Sequence, residues 1–301
     1  MNSKQMRRKG ALLALIASML WGISGTVMQF VAQSTTVPAT WFIGTRTLIT
    51  GIILLLIVAG KKGWRNLFQI FHNGKSIFLL LLFVFLGLLG NMYTFFYSVQ
   101  LGNSAAATIL QYLSPLFILL GTLIFMRQIP SKIDIISFGI ALIGVFLLIT
   151  RGDIHHLVIP FDAFIWGILS GLTAALYIIF PKLLVGMDYS PLEVTGWGMF
   201  LSGIISQFVR PIWQLPPHFN LQAALGVGTI ILLGTLLAFL IMIAATQYVS
   251  SAIVSITDAV QPFVTFVLSV IFFQAHFSFT EILGACLVVL SIYLLNRFSD
   301  K

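Results

Sequence analysis

Ser104–Phe125 reads SAAATILQYLSPLFILLGTLIF, and Ser251–Phe272 reads SAIVSITDAVQPFVTFVLSVIF. Both open on Ser-Ala, both continue as apolar runs, and Pro115 falls on Pro262. A bilayer-spanning helix needs about 20 mostly apolar residues, and each stretch supplies that length. Two versions of one spanning segment point to a duplicated membrane bundle. Working outward, Gly87 falls on Gly234 and Pro38 on Pro191. The chain therefore reads as two halves of common plan.

Composition agrees. Hydrophobic residues make up 59% and charged residues 8%, with mean hydropathy +1.05. Soluble domains carry about 25% charged residues, so this is a membrane composition. No polar stretch is long enough to fold alone. Candidate spans lie at 10–32, 37–59, 77–99, 102–125, 132–150, 162–185, 190–211, 222–248, 250–273 and 279–296. The first follows Lys4, Arg7, Arg8 and Lys9 but is too long for a signal peptide, and further spans come after it. Cys286 is the single cysteine and excludes an internal disulfide.

The net charge of +8 is topological rather than a nucleic-acid footprint. With the N-terminus inside, the inner segments carry thirteen Lys and Arg, and the outer loops carry Arg151 and Arg210. That bias predicts cytoplasmic termini at both ends. Five spans per half is an odd number, so the second half enters the membrane from the opposite side. Inverted repeats of this kind are characteristic of secondary transporters. The expected fold is all-α: ten transmembrane helices in two inverted five-helix repeats, residues 10–150 and 162–296.

Within these spans two ionisable side chains stand out. Arg46 lies about eight residues into span two, or ~12 Å along a helix, near the midplane of a ~30 Å core. Asp258 lies comparably deep in span nine. Their counterparts in the other half are Met199 and Gln111, so the polar positions break the internal symmetry, as a site for an asymmetric ligand requires. Charges inside a bilayer are costly and usually face protein or water-filled space. Two readings stand: Arg46 and Asp258 face a central cavity and bind substrate or a coupling proton, or they form a fixed ion pair. Trp21, Tyr93 and Trp197 sit deep in their spans and could form an aromatic wall or a cation–π contact. Other Trp and Tyr residues suit the interfacial belts.

Several local matches carry no chemistry. Gly22-Ile23-Ser24-Gly25 resembles a rhomboid protease motif, but the five His fall in loops or at span ends, where none can serve as base. Gly74-Lys75-Ser76 resembles a P-loop tail without its first glycine or preceding strand. Asp153, His155 and His156 suit a solvated loop better than a metal site. No cofactor, metal or enzyme signature is present.

Leu20-Trp21-Gly22, Pro38 to Arg46, Gly87 through Ser104-Ala105-Ala106, Leu113-Ser114-Pro115, and Gly139 with Gly144 recur in order. The second half repeats the later part from Gly234 to Gly284. In this the chain resembles the drug/metabolite transporter superfamily, in its ten-helix form with two EamA-type domains. The family's frequent Glu near the ends of spans four and nine is absent from Met126-Arg127-Gln128 and Gln274-Ala275-His276. The resemblance implies alternating-access transport of a small metabolite across a bacterial cytoplasmic membrane. Asp258, Arg46, Gln111, Trp21, Tyr93 and Trp197 are the expected substrate-binding residues. An amine-bearing or zwitterionic solute is favoured, with a single chain as the working unit. A channel or an intramembrane enzyme is the alternative. A channel would need rings of like groups along a pore.

Overall fold

The computed structural model describes residues 3–127, 131–153, 157–249 and 257–298. Among these no strand occurs. The main elements are α1 (Ser3–Ser34), α2 (Ala39–Lys62), α3 (Gly74–Leu101), and α4, built from Ser104–Gln111 and Ser114–Met126. There follow α5 (Lys132–Thr150), α6 (Phe161–Val185), α7 (Pro191–Gln207), α8 (Leu221–Thr246), α9 (Val260–Phe273) and α10 (Phe279–Phe298). Seven of them, α1 to α6 and α8, are long and apolar enough to cross a membrane. α9 and the Phe279–Leu295 part of α10 are shorter apolar helices, and α7 has 17 residues. The expected junction of spans eight and nine near Val249 to Ser251 falls mostly outside the described residues.

Backbone groups cannot be left unpaired in hydrocarbon, which favours helices throughout. Their starts are capped by side chains. Asn73, Asn103, Ser131, Ser190 and Asn220 each accept a hydrogen bond from an amide two or three residues on. Ser131 and Asp134 form a reciprocal capping box at α5. The bundle is apolar on its outside: Leu56, Phe78, Phe85, Ile135, Leu142 and Phe272 are all exposed. A soluble bundle would bury such residues. Polar side chains lie inside instead, among them Thr47, Thr108, Ser170, Thr235 and Ser269.

The helix pairings are symmetric. α2 packs on α7, α5 on α10 and α4 on α9; α3 packs on α6 as α8 packs on α1; α4 packs on α6 as α9 packs on α1. Exchanging α1–α5 with α6–α10 leaves this set unchanged. Small residues allow the close crossings. A Cβ on Gly144 would meet the Gly284 carbonyl at 2.7 Å, and a Cβ on Gly51 or Gly203 would strike the backbone of the facing helix.

Two further features repeat. α3 contains a π segment at Phe83–Leu89 and α8 one at Ile230–Leu237, centred near Gly87 and Gly234. A Cβ on Gly87 would lie 3.2 Å from Tyr177 Cα in α6, and one on Gly234 would collide with Ser24 in α1. Ser24, which the protease-like motif singled out, is thus a packing residue. The second feature is a break. α4 is interrupted at Tyr112 and Leu113, and a turn at Ala259 precedes α9. Each break lies just before the matched proline, Pro115 or Pro262, as the steric clash of proline with the preceding turn dictates.

Candidate functional site

The prolines explain the centre of the site. Pro262 has no N–H, so the carbonyl four residues earlier, that of Asp258, loses its helical donor. Tyr112 of α4 donates its hydroxyl to that carbonyl. The Asp258 carboxylate accepts a hydrogen bond from Ser18 Oγ of α1 at 3.0 Å. Asp258, which belongs to the second half, is therefore held by α1 and α4 of the first half. Removing the phenol as Tyr112→Phe leaves a carbonyl unpaired away from water. This is expected to cost about 1–3 kcal/mol, read as a lower thermal midpoint in detergent.

The matching position of α4 carries a neutral version. Gln111 Nε2 donates to Ser170 Oγ of α6 at 3.1 Å and to Asn91 Oδ1 of α3 at 3.4 Å. Asn91 Nδ2 donates to the Ser170 carbonyl at 3.2 Å. One turn on, the Thr94 and Thr173 hydroxyls lie 3.0 Å apart. Ser18 on Asp258 and Ser170 on Gln111 are comparable contacts, each from the first helix of the other half, charged in one and neutral in the other.

Arg46 has different partners. Its Nε donates to Thr235 Oγ1 of α8 at 2.6 Å. Thr235 donates in turn to the Ile230 carbonyl, five residues back, at 2.9 Å. That is the π spacing, so the widened turn sets the acceptor for Arg46. Tyr177 of α6 lies within electrostatic reach of the guanidinium. Among the described residues the ion pairs are Lys62–Glu193 and Arg151–Glu281, each at 2.8 Å. Arg46 and Asp258 are not one of them, which removes the fixed-pair reading.

Aromatic rings link α1, α8 and α6. Trp21 sits three residues beyond Ser18, on the same side of α1. Its ring meets Phe239 edge-on at 5.6 Å, and Phe239 meets Tyr177 at 6.3 Å. Trp21, Phe239 and Tyr177 thus form one ring cluster, with Trp21 one turn along α1 from Ser18. Arg46, Asp258, Gln111, Trp21 and Tyr177 are all partly accessible despite their interior contacts. Tyr93 stacks on Tyr97 at 6.5 Å, and Tyr97 packs on Trp166 at 5.2 Å. Tyr93, Tyr97 and Gln100 share a face of α3, and Gln100 reaches α1.

Trp197 does not join this group. It is 5% exposed, donates Nε1–H to the Leu67 carbonyl at 2.9 Å, and is enclosed by Phe68, Phe71 and Phe200. It anchors α7 to the short helices between α2 and α3. Ser18, Tyr112, Tyr177 and Thr235 are the partners of the two charged groups that sequence reading did not expect at the site. The Pro262 spacing was the available signal for an acceptor near Tyr112. Among the described residues, no group of three or more His, Cys, Asp or Glu could hold a metal.

An all-helical bundle with an apolar exterior and charged groups inside defines a multi-pass membrane protein. Comparison with known proteins makes the class specific. The model of the EamA-like transporter family matches residues 8–150 and again 162–297, and the chain belongs to that family. It is 31% identical to the uncharacterized inner membrane transporter YicL of Salmonella typhimurium, over 98% of this chain and 97% of that one. It is 26% identical to an uncharacterized transporter of Archaeoglobus fulgidus, over 96% and 99%. A solved crystal structure shares the fold at TM-score 0.62 and 14% identity, covering 95% of both chains. The protein is accordingly a membrane transporter.

Proposed function

We propose that this protein is a secondary transporter of a small organic metabolite bearing an amine or both an amine and a carboxylate. The observation that carries the reading is the separation of Arg46 from Asp258. Each is held by neutral partners, Thr235 for one and Ser18 with Tyr112 for the other. Neither charge is cancelled by the other, and both side chains stay partly accessible. A zwitterion would offer a carboxylate to the guanidinium and an ammonium to Asp258, with Trp21 available for cation–π contact. Gln111, Asn91 and Tyr93 would supply neutral contacts. In the empty protein a proton on Asp258 would take the place of the ammonium, which couples the solute to a proton gradient.

Ten crossings in two inverted repeats, 10–150 and 162–296, give the alternating-access framework, supported by the symmetric pairings and the paired π segments. One chain supplies both halves and is the working unit, in a bacterial cytoplasmic membrane. The thirteen-to-two charge bias supports an inside location for both termini. A cytoplasmic reporter fused after Lys301 should be active, and one inserted at 151–162 should behave as external. The reverse pattern would overturn this topology. Function is tested with purified protein in liposomes, screened by thermal shift against metabolites and then by counterflow. Saturable, counterflow-competent uptake is expected; unitary currents in its place would indicate a channel.

A further inference from the structure

At the end of the bundle that carries the α1–α2 turn, a buried polar cluster ties four helices together. Gln29 of α1 is 6% exposed, Ser104 of α4 0% and Ser269 of α9 1%. Gln29 Oε1 accepts from the Ser104 amide at 2.9 Å and from Ser104 Oγ at 2.7 Å. Ser104 Oγ lies 3.3 Å from Ser269 Oγ. Gln29 Nε2 donates to Gln33 Oε1 at 3.1 Å, and Gln33 Nε2 donates to the Val99 and Gly102 carbonyls at 2.9 and 2.8 Å. Gln100 of α3 reaches back to the Ala32 carbonyl at 3.2 Å.

Helix α4 explains why a glutamine is needed. The first amides of a helix have no partner within it. Asn103 takes the Ala106 amide, and Gln29 takes that of Ser104 from another helix. These contacts hold only while α1 stays against α4 and α9. The opposite end differs. Gly234 packs on Ser24 and Gly87 on Tyr177, so exchanging the halves lays Ser24 on Tyr177. Five residues on, Gln29 falls on Lys182, which is exposed. The buried amide of one half is matched by a solvated charge in the other.

We propose that Gln29, Ser104 and Ser269 form a latch that closes the central cavity at this end and releases it when α1 parts from α4 and α9. This rests on the transporter reading above, in whose orientation the latch is on the outside. A polar latch suits a gate, because each group exchanges a protein partner for water as the helices separate. An apolar replacement of Gln29 removes that balance. In the closed state the Ser104 amide and hydroxyl would then lose their acceptor in a dry site, whereas the open state hydrates them.

The test uses Thr108→Cys, one turn deeper than Ser104 on α4, in a Cys286→Ser background, because Cys286 is exposed. Intact cells are treated with a membrane-impermeant cationic methanethiosulfonate reagent. The parent should label slowly. Adding Gln29→Leu should raise the rate by about tenfold or more, the scale set by losing one or two buried hydrogen bonds. Ser269→Ala, which removes only the weakest contact, should give a smaller rise. Equal rates in all three proteins overturn the latch. So does a fall in thermal midpoint without faster labelling, because the cluster is then a static tie. Should Gln29→Leu fail to reach the membrane, Ser269→Ala decides alone, and an unchanged rate overturns the proposal. Labelling requires no substrate. A protein that opens on mutation but moves no solute in counterflow would sink the transporter reading and leave the latch standing.

Discussion

Arg46→Leu is expected to abolish saturable transport while leaving folded protein in the membrane, and adding Asp258→Leu is expected to give no recovery. The argument follows from the partners. A buried ion pair that loses one member leaves an uncompensated charge, and removing the second member can then restore stability. Arg46 has no such acid; Thr235, a neutral hydroxyl, takes its Nε. Its removal therefore leaves no stranded partner charge, and the variant should keep its monodisperse elution and much of its thermal midpoint. What it loses is the bidentate donor for a ligand carboxylate. Losing a desolvated charged contact costs about 2–5 kcal/mol, roughly 30- to several-thousand-fold in affinity. Proteoliposome uptake with a solute identified by the counterflow screen is the measurement. A double Leu variant with parental uptake would show that both charges serve the scaffold alone, and the proposed site would have to move.

That prediction also marks how far the sequence could be read. Hydropathy, proline and charge bias are local signals, so the apolar runs, the Pro115–Pro262 match and the family resemblance were legible from residue order. The same match located Gln111 opposite Asp258, and both prove to be held by a serine from the first helix of the other half. Which way a charge faces is a different matter. Two opposite charges at mid-span look alike whether they meet or not. Here the π segment decides, because its extra residue per turn carries Thr235 to Arg46. No residue pattern signals that shift beyond the glycine at 234. Trp197 failed for a related reason. Counting from Pro191 places it several residues into the span, but the short helices Trp64–Leu67 and Gln69–Phe71 fold over that end and enclose it. Depth along a helix is not distance from the cavity.

Asp258→Asn is expected to separate ligands by charge. The substitution keeps the shape and one oxygen acceptor for Ser18 Oγ, and it leaves the backbone carbonyl for Tyr112. It removes the negative charge from a site screened by protein rather than by water. At an effective dielectric near 20, a unit charge 4 Å away is worth about 4 kcal/mol, against ~1 kcal/mol in bulk water. Part of that attraction offsets desolvation of the ammonium, so the net loss is set nearer 1.5–3 kcal/mol, the range for a hydrogen bond to a charged group. An amine-bearing ligand should therefore bind about 10- to 150-fold more weakly to the variant. An isosteric analogue with a hydroxyl or methyl in place of the amine should lose far less, since Asn can still exchange a neutral hydrogen bond. Isothermal titration of both ligands against both proteins yields the four affinities needed. The informative quantity is their ratio, because a general loosening of the Ser18–Asp258–Tyr112 junction would weaken both ligands alike. If the two ligands fall by the same factor, Asp258 does not select charge. The cationic half of the proposed substrate would then have to be given up, while the carboxylate half, which rests on Arg46, would stand or fall on the first experiment.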